Sequence, residues 1–335
     1  MVRPALAAAL LILMGAPAVA QEPRDGFPPI FRSGVQLVPL NVTVTDLQRH
    51  FVRGLTAEDF TVLEDGVAQE VQFFDAADVP IDLILLVDTS SSMGHNMPVV
   101  HEAALGFLST LRAQDRGAVV AFADRVDVVQ ELTSDRSSLE GAVRRMTARG
   151  ATALHDAIYI SLKLFGHAAQ REGEIRRQAI AVLTDGEDTS SLLAFDEVVG
   201  LARQSGVTIY PITLVADPAA ERLELEGLRR TATQMRSQYL LRQLARETGA
   251  QAFLSVRLPG LKDVYSSIAE ELANQYSIAY APTDTTPDGR LRQIVVQVAS
   301  RPELRLRTRT GYTVEPASGR AELGRPGRAL RSHAN

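Results

Sequence analysis

The chain has 335 residues, of which 45% are hydrophobic and 22% are charged, and its formal net charge is −5. This balance is typical of a globular protein and excludes a largely disordered or a membrane-embedded chain. The negative net charge also gives no indication of a broad nucleic-acid-binding surface.

The N-terminal residues have the pattern of a secretory signal peptide. Arg3 precedes an apolar run from Ala5 to Met14 that is too short to span a bilayer comfortably, and small residues precede Gln21. We expect residues 1–20 to be a signal peptide cleaved after Ala20; an uncleaved anchor is the alternative. The chain has no cysteine for a disulfide or a lipid anchor. No later apolar run is long enough to cross a membrane, so we expect a periplasmic or secreted protein.

Residues 30–80 are predicted to be rich in β-structure. The run "VQLVPLNVTVTD" alternates apolar and polar residues, as a half-buried strand does. The run "DFTVLEDGVAQEVQFF" contains two strand-like segments around the turn signal Glu64-Asp65-Gly66, which favours a hairpin.

From residue 81 to 275, strand-like runs alternate with helix-like patterns, which predicts an α/β fold with a doubly wound, mostly parallel six-stranded sheet of the Rossmann-like kind. Several runs are apolar nearly throughout, as are strands covered on both faces. "VDVVQEL" follows its neighbour after a short turn and is predicted to be an antiparallel edge strand. The strand candidates are "DLILLVD", "GAVVAFAD", "VDVVQEL", "QAIAVLTD", "VTIYPITLV" and "AQAFLSV". The helix candidates are "MPVVHEAALGFLSTLRA", "SLEGAVRRM", "ALHDAIYISLKLFGHAA", "AFDEVVGLARQSG", "LLRQLARETG" and "LKDVYSSIAEELANQ".

Residues 276–315 are again predicted to be β-rich, with strands in "QYSIAYAP", "RLRQIVVQVAS" and "LRLRTRTGYTV". Each β-rich flank is too small for a stable sheet domain of its own. We therefore expect the α/β domain to be inserted into one small β-sandwich formed by both flanks; two separate sheet extensions are the alternative. The tail, residues 316–335, is expected to be disordered. A charged segment, residues 218–238, is predicted to be helical.

The candidate functional side chains lie at the carboxyl ends of the predicted strands, where open parallel sheets bind their ligands. Asp88 ends one apolar run and is followed by Ser90 and Ser92; Asp185 follows another, in "LTDGED". Thr152 lies in "GATALHDAI", in a loop that opens a helix. These side chains offer only oxygen donors, which suit a hard divalent cation, Mg²⁺ first and Mn²⁺ next.

Each of these motifs could also have a purely structural role. The segment 88–90 could cap the following helix, Thr152 could cap its own helix, and "TDGED" could be an ordinary turn. Glu187 and Asp188 are read first as solvated loop residues and second as contributors to the site. The nearby histidines, His95, His101 and His155, show no zinc-site spacing.

The three motifs together resemble the metal-ion-dependent adhesion site of von Willebrand factor type A domains. "DTSSS" matches the D-x-S-x-S motif, and "GATALHDAI" and "LTDGED" are similar to the threonine and second-aspartate loops, in the family's order. The resemblance covers residues 81–275. The flanking segments resemble those of exported bacterial proteins with this domain, which are common among acidobacteria.

This resemblance implies a role for each residue. Ser90 and Ser92 would bind the metal directly, Thr152 directly or through water, and Asp88 and Asp185 mainly through water or hydrogen bonds. Neutral hydroxyls leave the cation electrophilic, so that an Asp or Glu carboxylate of a partner protein can complete its coordination. Ca²⁺ is a further candidate.

The expected function is therefore exported, metal-dependent protein binding or adhesion, without enzymatic activity. A structural envelope scaffold with a non-functional metal site is the alternative. A metal-dependent hydrolase is less favoured, since the sequence has no G-x-S-x-G elbow and no P-loop.

Overall fold

The computed structural model describes residues 30–32, 35–76, 79–172, 175–185, 188–215 and 224–314. The expected signal peptide and the tail from residue 316 lie outside these ranges. Within the described residues, five strands precede the α/β part of the chain. They are β1 (Ile30–Arg32), β2 (Val35–Thr45), β3 (Phe60–Glu64), β4 (Val67–Gln69) and β5 (Val71–Asp75).

The α/β part contains one six-stranded sheet in the order β11-β10-β9-β6-β7-β8. Its strands are β6 (Ile81–Asp88), β7 (Arg116–Phe122), β8 (Val126–Thr133), β9 (Arg177–Thr184), β10 (Thr208–Leu214) and β11 (Phe253–Val256). All neighbouring pairs are parallel except β7 and β8, which are antiparallel. The predicted mostly parallel sheet and its antiparallel edge strand are both confirmed.

Six helices cover the two faces of this sheet. They are α1 (Met97–Leu108), α2 (Arg136–Arg145), α3 (Leu154–Glu172), α4 (Phe195–Ser205), α5 (Glu224–Thr248) and α6 (Leu261–Asn274). Strand β6 shows why the strand runs are apolar throughout, because all eight of its residues are buried. Leu83 and Leu85 pack into the cluster that contains α1 and α6, whereas Ile84 and Leu86 pack into the cluster that contains α3 and α4.

Two helices differ from their predicted extents. Helix α1 ends at Leu108, earlier than the predicted run to Ala113, because the hydroxyls of Ser109 and Thr110 donate to carbonyls of the last turn, each at 2.7 Å. The described part of the charged segment 218–238 is not a separate helix. It is continuous with "LLRQLARETG" in α5.

The last four strands return to the β-rich part. They are β12 (Tyr276–Tyr280), β13 (Leu291–Val298), β14 (Arg305–Arg307) and β15 (Gly311–Thr313). One antiparallel sheet has the order β1-β2-β12-β5, with β14 also paired to β2, and a second has the order β15-β13-β3-β4. Each sheet thus joins strands from before and after the α/β part, and the two share one buried apolar cluster.

The run "LRLRTRTGYTV" forms two strands in different sheets, where one strand was predicted. Strand β14 pairs with β2, and after the intervening residues β15 pairs with β13. Gly311 permits the close pairing of β15 with β13, because a Cβ at that position would clash with the backbone carbonyl of Arg292.

A buried polar cluster joins the β-rich part to the α/β part. The carboxylate of Glu271 on α6 accepts hydrogen bonds from the hydroxyls of Tyr210, at 2.9 Å, and Thr43, at 3.2 Å. It also forms an ion pair with Arg307 on β14. One side chain therefore contacts the central sheet and two strands of the neighbouring antiparallel sheet.

Candidate functional site

Asp88 is the last residue of β6 and is fully buried at the carboxyl edge of the sheet. Its Oδ1 accepts a hydrogen bond from the backbone N–H of Ser90 at 2.8 Å, and its Oδ2 accepts one from the Thr184 hydroxyl at 2.7 Å. Burial and the nearby charge of Asp185 raise the pKa of Asp88 to about 6, although both hydrogen bonds oppose the shift. The two carboxyl groups are therefore close enough to repel each other.

Ser90 and Ser92 present a pair of hydroxyls above Asp88. Their Oγ atoms are 3.0 Å apart; Ser90 is 2% exposed, whereas Ser92 is exposed. Ser90 precedes a short 3₁₀-helix, Ser91–Asn96, but its side chain makes no capping hydrogen bond there. Helix α1 has Asn96 at its N-cap position, so the alternative in which the segment 88–90 caps that helix is wrong. The hydroxyl pair opens to solvent on the Ser92 side.

The loop that carries Thr152 is tied to the Asp88 loop by its backbone. Gly150 accepts a hydrogen bond from the N–H of Ser91 at 3.0 Å, and Arg149 donates to the carbonyl of Thr89 at 2.6 Å. Gly150 has φ +73°, and a Cβ there would lie 2.6 Å from Oδ1 of Asp124, so this close approach requires glycine. Thr152 itself is buried.

The third loop follows β9 and contacts Thr152 directly. Its N–H groups at Thr189 and Ser190 donate to the carbonyl of Thr152 at 2.8 and 3.0 Å. Asp185, directly after β9, is partly buried and interacts with the charge of Asp88. Backbone hydrogen bonds thus join the Thr152 segment to the Asp88 loop and to the loop after β9, and Asp185 interacts with the charge of Asp88.

One residue of this rim, Thr184, was missed by the sequence analysis, and for a second, Asp188, the less favoured of its two predicted roles is the relevant one. Thr184 donates to Asp88, yet in the sequence it is simply the last residue of an apolar run. Asp188, read first as a solvated loop residue, is partly buried and accepts a hydrogen bond from the N–H of Leu154 at 2.8 Å. It therefore caps α3 from another loop, and no local spacing could reveal a partner 34 positions away.

The geometry of the hydroxyl pair fits a small, hard cation. Ser90 Oγ and Ser92 Oγ are joined by a hydrogen bond of 3.0 Å, and two neighbouring ligands in an Mg²⁺ octahedron with bonds of about 2.0–2.1 Å are about 2.9 Å apart, so both hydroxyls could bind one such ion with little movement. Within the described residues, no group of three or more His, Asp or Glu side chains could hold a metal.

Comparison with known proteins identifies the domain. The sequence model of the von Willebrand factor type A domain matches residues 82–257, just over half of the chain. A similar curated protein is an uncharacterized protein of Synechocystis sp., 36% identical over 113 residues, which are 33% of this chain and 26% of that protein. An uncharacterized protein of Borreliella burgdorferi is 30% identical over 141 residues, which are 39% of this chain and 40% of that protein.

These matches cover about a quarter and two fifths of the two curated relatives. Among solved structures, a von Willebrand factor type A protein from Catenulispora acidiphila is similar with a TM-score of 0.48 and 15% identity, over 85% of this chain and 74% of that one. The match over residues 82–257 coincides with the six-stranded sheet and the rim loops described above. The chain therefore belongs to the von Willebrand factor type A domain family.

Proposed function

We propose that this protein is an exported, metal-dependent interaction module that binds a partner protein through a divalent cation. The cation is Mg²⁺, with Mn²⁺ or Ca²⁺ as alternatives, and it receives an Asp or Glu carboxylate from the partner. Domains of this family are generally protein-interaction modules rather than enzymes. The residues assigned to the site are Asp88, Ser90, Ser92, Thr152 and Asp185.

The observation that carries this proposal is the hydroxyl pair above a buried carboxylate. Ser90 and Ser92 have no charge, so a cation held by their Oγ atoms keeps most of its attraction for an external anion. Asp88 and Asp185 repel each other, and a cation between them would relieve that repulsion. Ser92 is exposed, which leaves room for a ligand from outside.

The exported location is proposed from the N-terminal pattern of the sequence. Separately, none of the helices in the described ranges combines the length and the apolar composition that a membrane span requires.

The test is a calorimetric titration of Mg²⁺, Mn²⁺ and Ca²⁺ into the metal-stripped chain that begins at Gln21. The variant Ser90→Ala, Ser92→Ala removes both hydroxyls. Ser91→Ala is the matched control, since this exposed serine lies between them. We expect saturable binding in the wild type and in the control, and its loss in the double variant.

A second arm tests the partner chemistry with an immobilised peptide that carries one Asp. Capture that needs the cation and is lost with Asp→Asn in the peptide supports the proposal. If no cation binds the wild type, the metal site is non-functional and the scaffold alternative gains support. Metal-dependent hydrolysis of a substrate would instead support the enzyme alternative.

A further inference from the structure

The loop from Asp188 to Leu193, at the rim, is fixed to the start of α3. The hydroxyl of Ser191 accepts hydrogen bonds from the N–H groups of His155 at 3.0 Å and Asp156 at 3.2 Å. It donates in turn to Oδ1 of Asp188 at 2.6 Å. Ser191 thus links the start of α3 to Asp188, and these hydrogen bonds restrict the conformation of the loop at this point.

The end of the same loop is held by Asp156. Its carboxylate accepts hydrogen bonds from the N–H of Leu192, at 3.1 and 3.2 Å, and from the N–H of Leu193, at 3.0 Å. The ring Nδ1 of His155 also lies 3.2 Å from the carbonyl oxygen of Leu193. The backbone is therefore fixed by hydrogen bonds at the N–H of Leu192 itself and at the N–H of the next residue.

The side chain of Leu192, in contrast, contacts almost nothing. It is 94% exposed, the most exposed of the large hydrophobic side chains in the described part of the chain; the next, Met235, is 65% exposed. Single exposed apolar residues are common on protein surfaces. Leu192 differs from them because a fixed backbone holds it away from the protein.

Leu192 also lies close to the proposed metal site. The N–H of Thr189 is bonded to the carbonyl of Thr152, and Leu192 follows three residues later. Three residues span at most about 11 Å, so the backbone of Leu192 lies within about 11 Å of Thr189, which is bonded to the Thr152 segment of the proposed site.

We propose that Leu192 is an apolar contact that selects the partner, and that the partner presents its Asp or Glu next to a large apolar side chain. This inference rests on the proposed function and names the chemistry of its partner. Because the loop is already ordered, burying Leu192 on binding requires little additional loss of conformational entropy. The partner's carboxylate would bind the metal ion. The partner's neighbouring apolar side chain would contact Leu192 and so determine which acidic segments bind best.

The test compares two synthetic peptides in the presence of Mg²⁺, by chemical-shift titration of the full mature chain. Ac-Gly-Leu-Asp-Leu-Gly-NH₂ carries apolar flanks, and Ac-Gly-Ser-Asp-Ser-Gly-NH₂ carries the same carboxylate without them. We expect the first peptide to bind about tenfold more tightly, as burial of part of a leucine side chain predicts.

Leu192→Ser should remove this preference and leave the Mg²⁺ titration unchanged. Leu47→Ser is the matched control, because Leu47 is also an exposed leucine, at 56%, and lies in the β-rich part of the chain. Equal affinities of the two peptides for the wild type, with binding still dependent on Mg²⁺, would overturn the role of Leu192 and leave the metal site intact. Binding independent of Mg²⁺ would overturn both proposals.

Discussion

The carboxylate of Asp188 caps a helix from a different loop: its Oδ1 lies 2.8 Å from the backbone nitrogen of Leu154, the first residue of α3. An unpaired N–H at a helix start is costly to bury, and an acceptor with negative charge also interacts favourably with the helix dipole. The bond therefore joins the loop after β9 to the loop that carries Thr152, and it fixes two of the three parts of the rim relative to each other.

Asp188→Ala should lower the free energy of unfolding by about 1–2 kcal/mol, the usual cost of losing a helix cap. Urea denaturation of the metal-free protein measures this loss. Asp188→Asn is the matched control, since its amide oxygen can still accept the bond from Leu154, and it should retain most of the stability. Equal losses in both variants would show that the negative charge, rather than the hydrogen bond, is responsible.

Thr184→Val should weaken Mg²⁺ binding by about tenfold or more, because the variant removes the hydroxyl that orients Asp88 while keeping the shape of the side chain. Calorimetry measures the affinity. Thr213→Val is a suitable control: Thr213 is also a buried strand threonine, but its hydroxyl accepts a bond from the N–H of Ser255. That control should lose stability and keep its metal affinity. A loss of affinity in both variants would contradict a specific role for Thr184.

The residues of the proposed site could be predicted from the sequence because each one follows a strong local pattern. Asp88 ends one buried apolar strand and Asp185 directly follows another, and parallel strands bring their ends to one edge. The residues that hold them in place could not be predicted in this way. Thr184 and Asp188 form hydrogen bonds with residues 96 and 34 positions away. Neither residue type indicates by itself that such a bond will form.

Asp156→Ala should increase the rate of hydrogen exchange at the amides of Leu192 and Leu193, because both N–H groups donate to the Asp156 carboxylate. Mass spectrometry with peptide resolution, or NMR, measures the exchange. The amide of Leu241, in the buried part of α5, should keep its protection and serves as the internal reference. Unchanged exchange at Leu192 would show that Asp156 does not fix the loop.

Gly249→Ala should destabilise the protein more than Gly54→Ala. Both glycines have φ +79°, so alanine brings a similar backbone strain at each position. At Gly54 a Cβ would meet nothing within 4 Å, whereas at Gly249 it would lie 2.6 Å from the backbone nitrogen of Arg309. The difference between the two free energies of unfolding therefore measures the clash with the backbone of Thr308 and Arg309. Equal losses would mean that this segment moves aside without cost.

Asp115 should make the protein less stable in acid. Burial raises the pKa of Asp115, but hydrogen bonds from the side chain and backbone of Arg112 and from the N–H of Ile81 outweigh it, and the pKa is lowered from 3.8. Since the folded state then binds the proton more weakly than the unfolded state, the stabilisation is present above about pH 4 and is lost as the pH falls through the lowered pKa.

Urea denaturation between pH 7 and pH 3, on the wild type and on Asp115→Asn, tests this prediction. The variant lacks the charge at every pH, so the difference in free energy of unfolding between the two proteins should shrink as the pH falls. A constant difference across the pH range would assign the effect to groups other than Asp115.

The fold was predictable where local pattern and topology agree. The buried strands and their alternation with helices define the central sheet, and they are visible in single segments of sequence. The path after Leu304 was not predictable in the same way. Its run of alternating residues favours one strand, whereas the pairing of β15 with β13 depends on contacts that are distant in sequence, including the close approach of Gly311 to the Arg292 backbone.

The pairing of β2 with β12, which sets Val42 opposite Tyr276, determines the order in which the molecule can be completed. Strands β2 to β5 are synthesised first, but most of their partners come after the whole α/β part. The six-stranded sheet can close before them, since all of its strands lie between Ile81 and Val256. Until β12 and β13 have been synthesised, the first strands have unpaired edges. Such edges are prone to pair with other chains. A chain that ends after α6 would keep those edges open permanently.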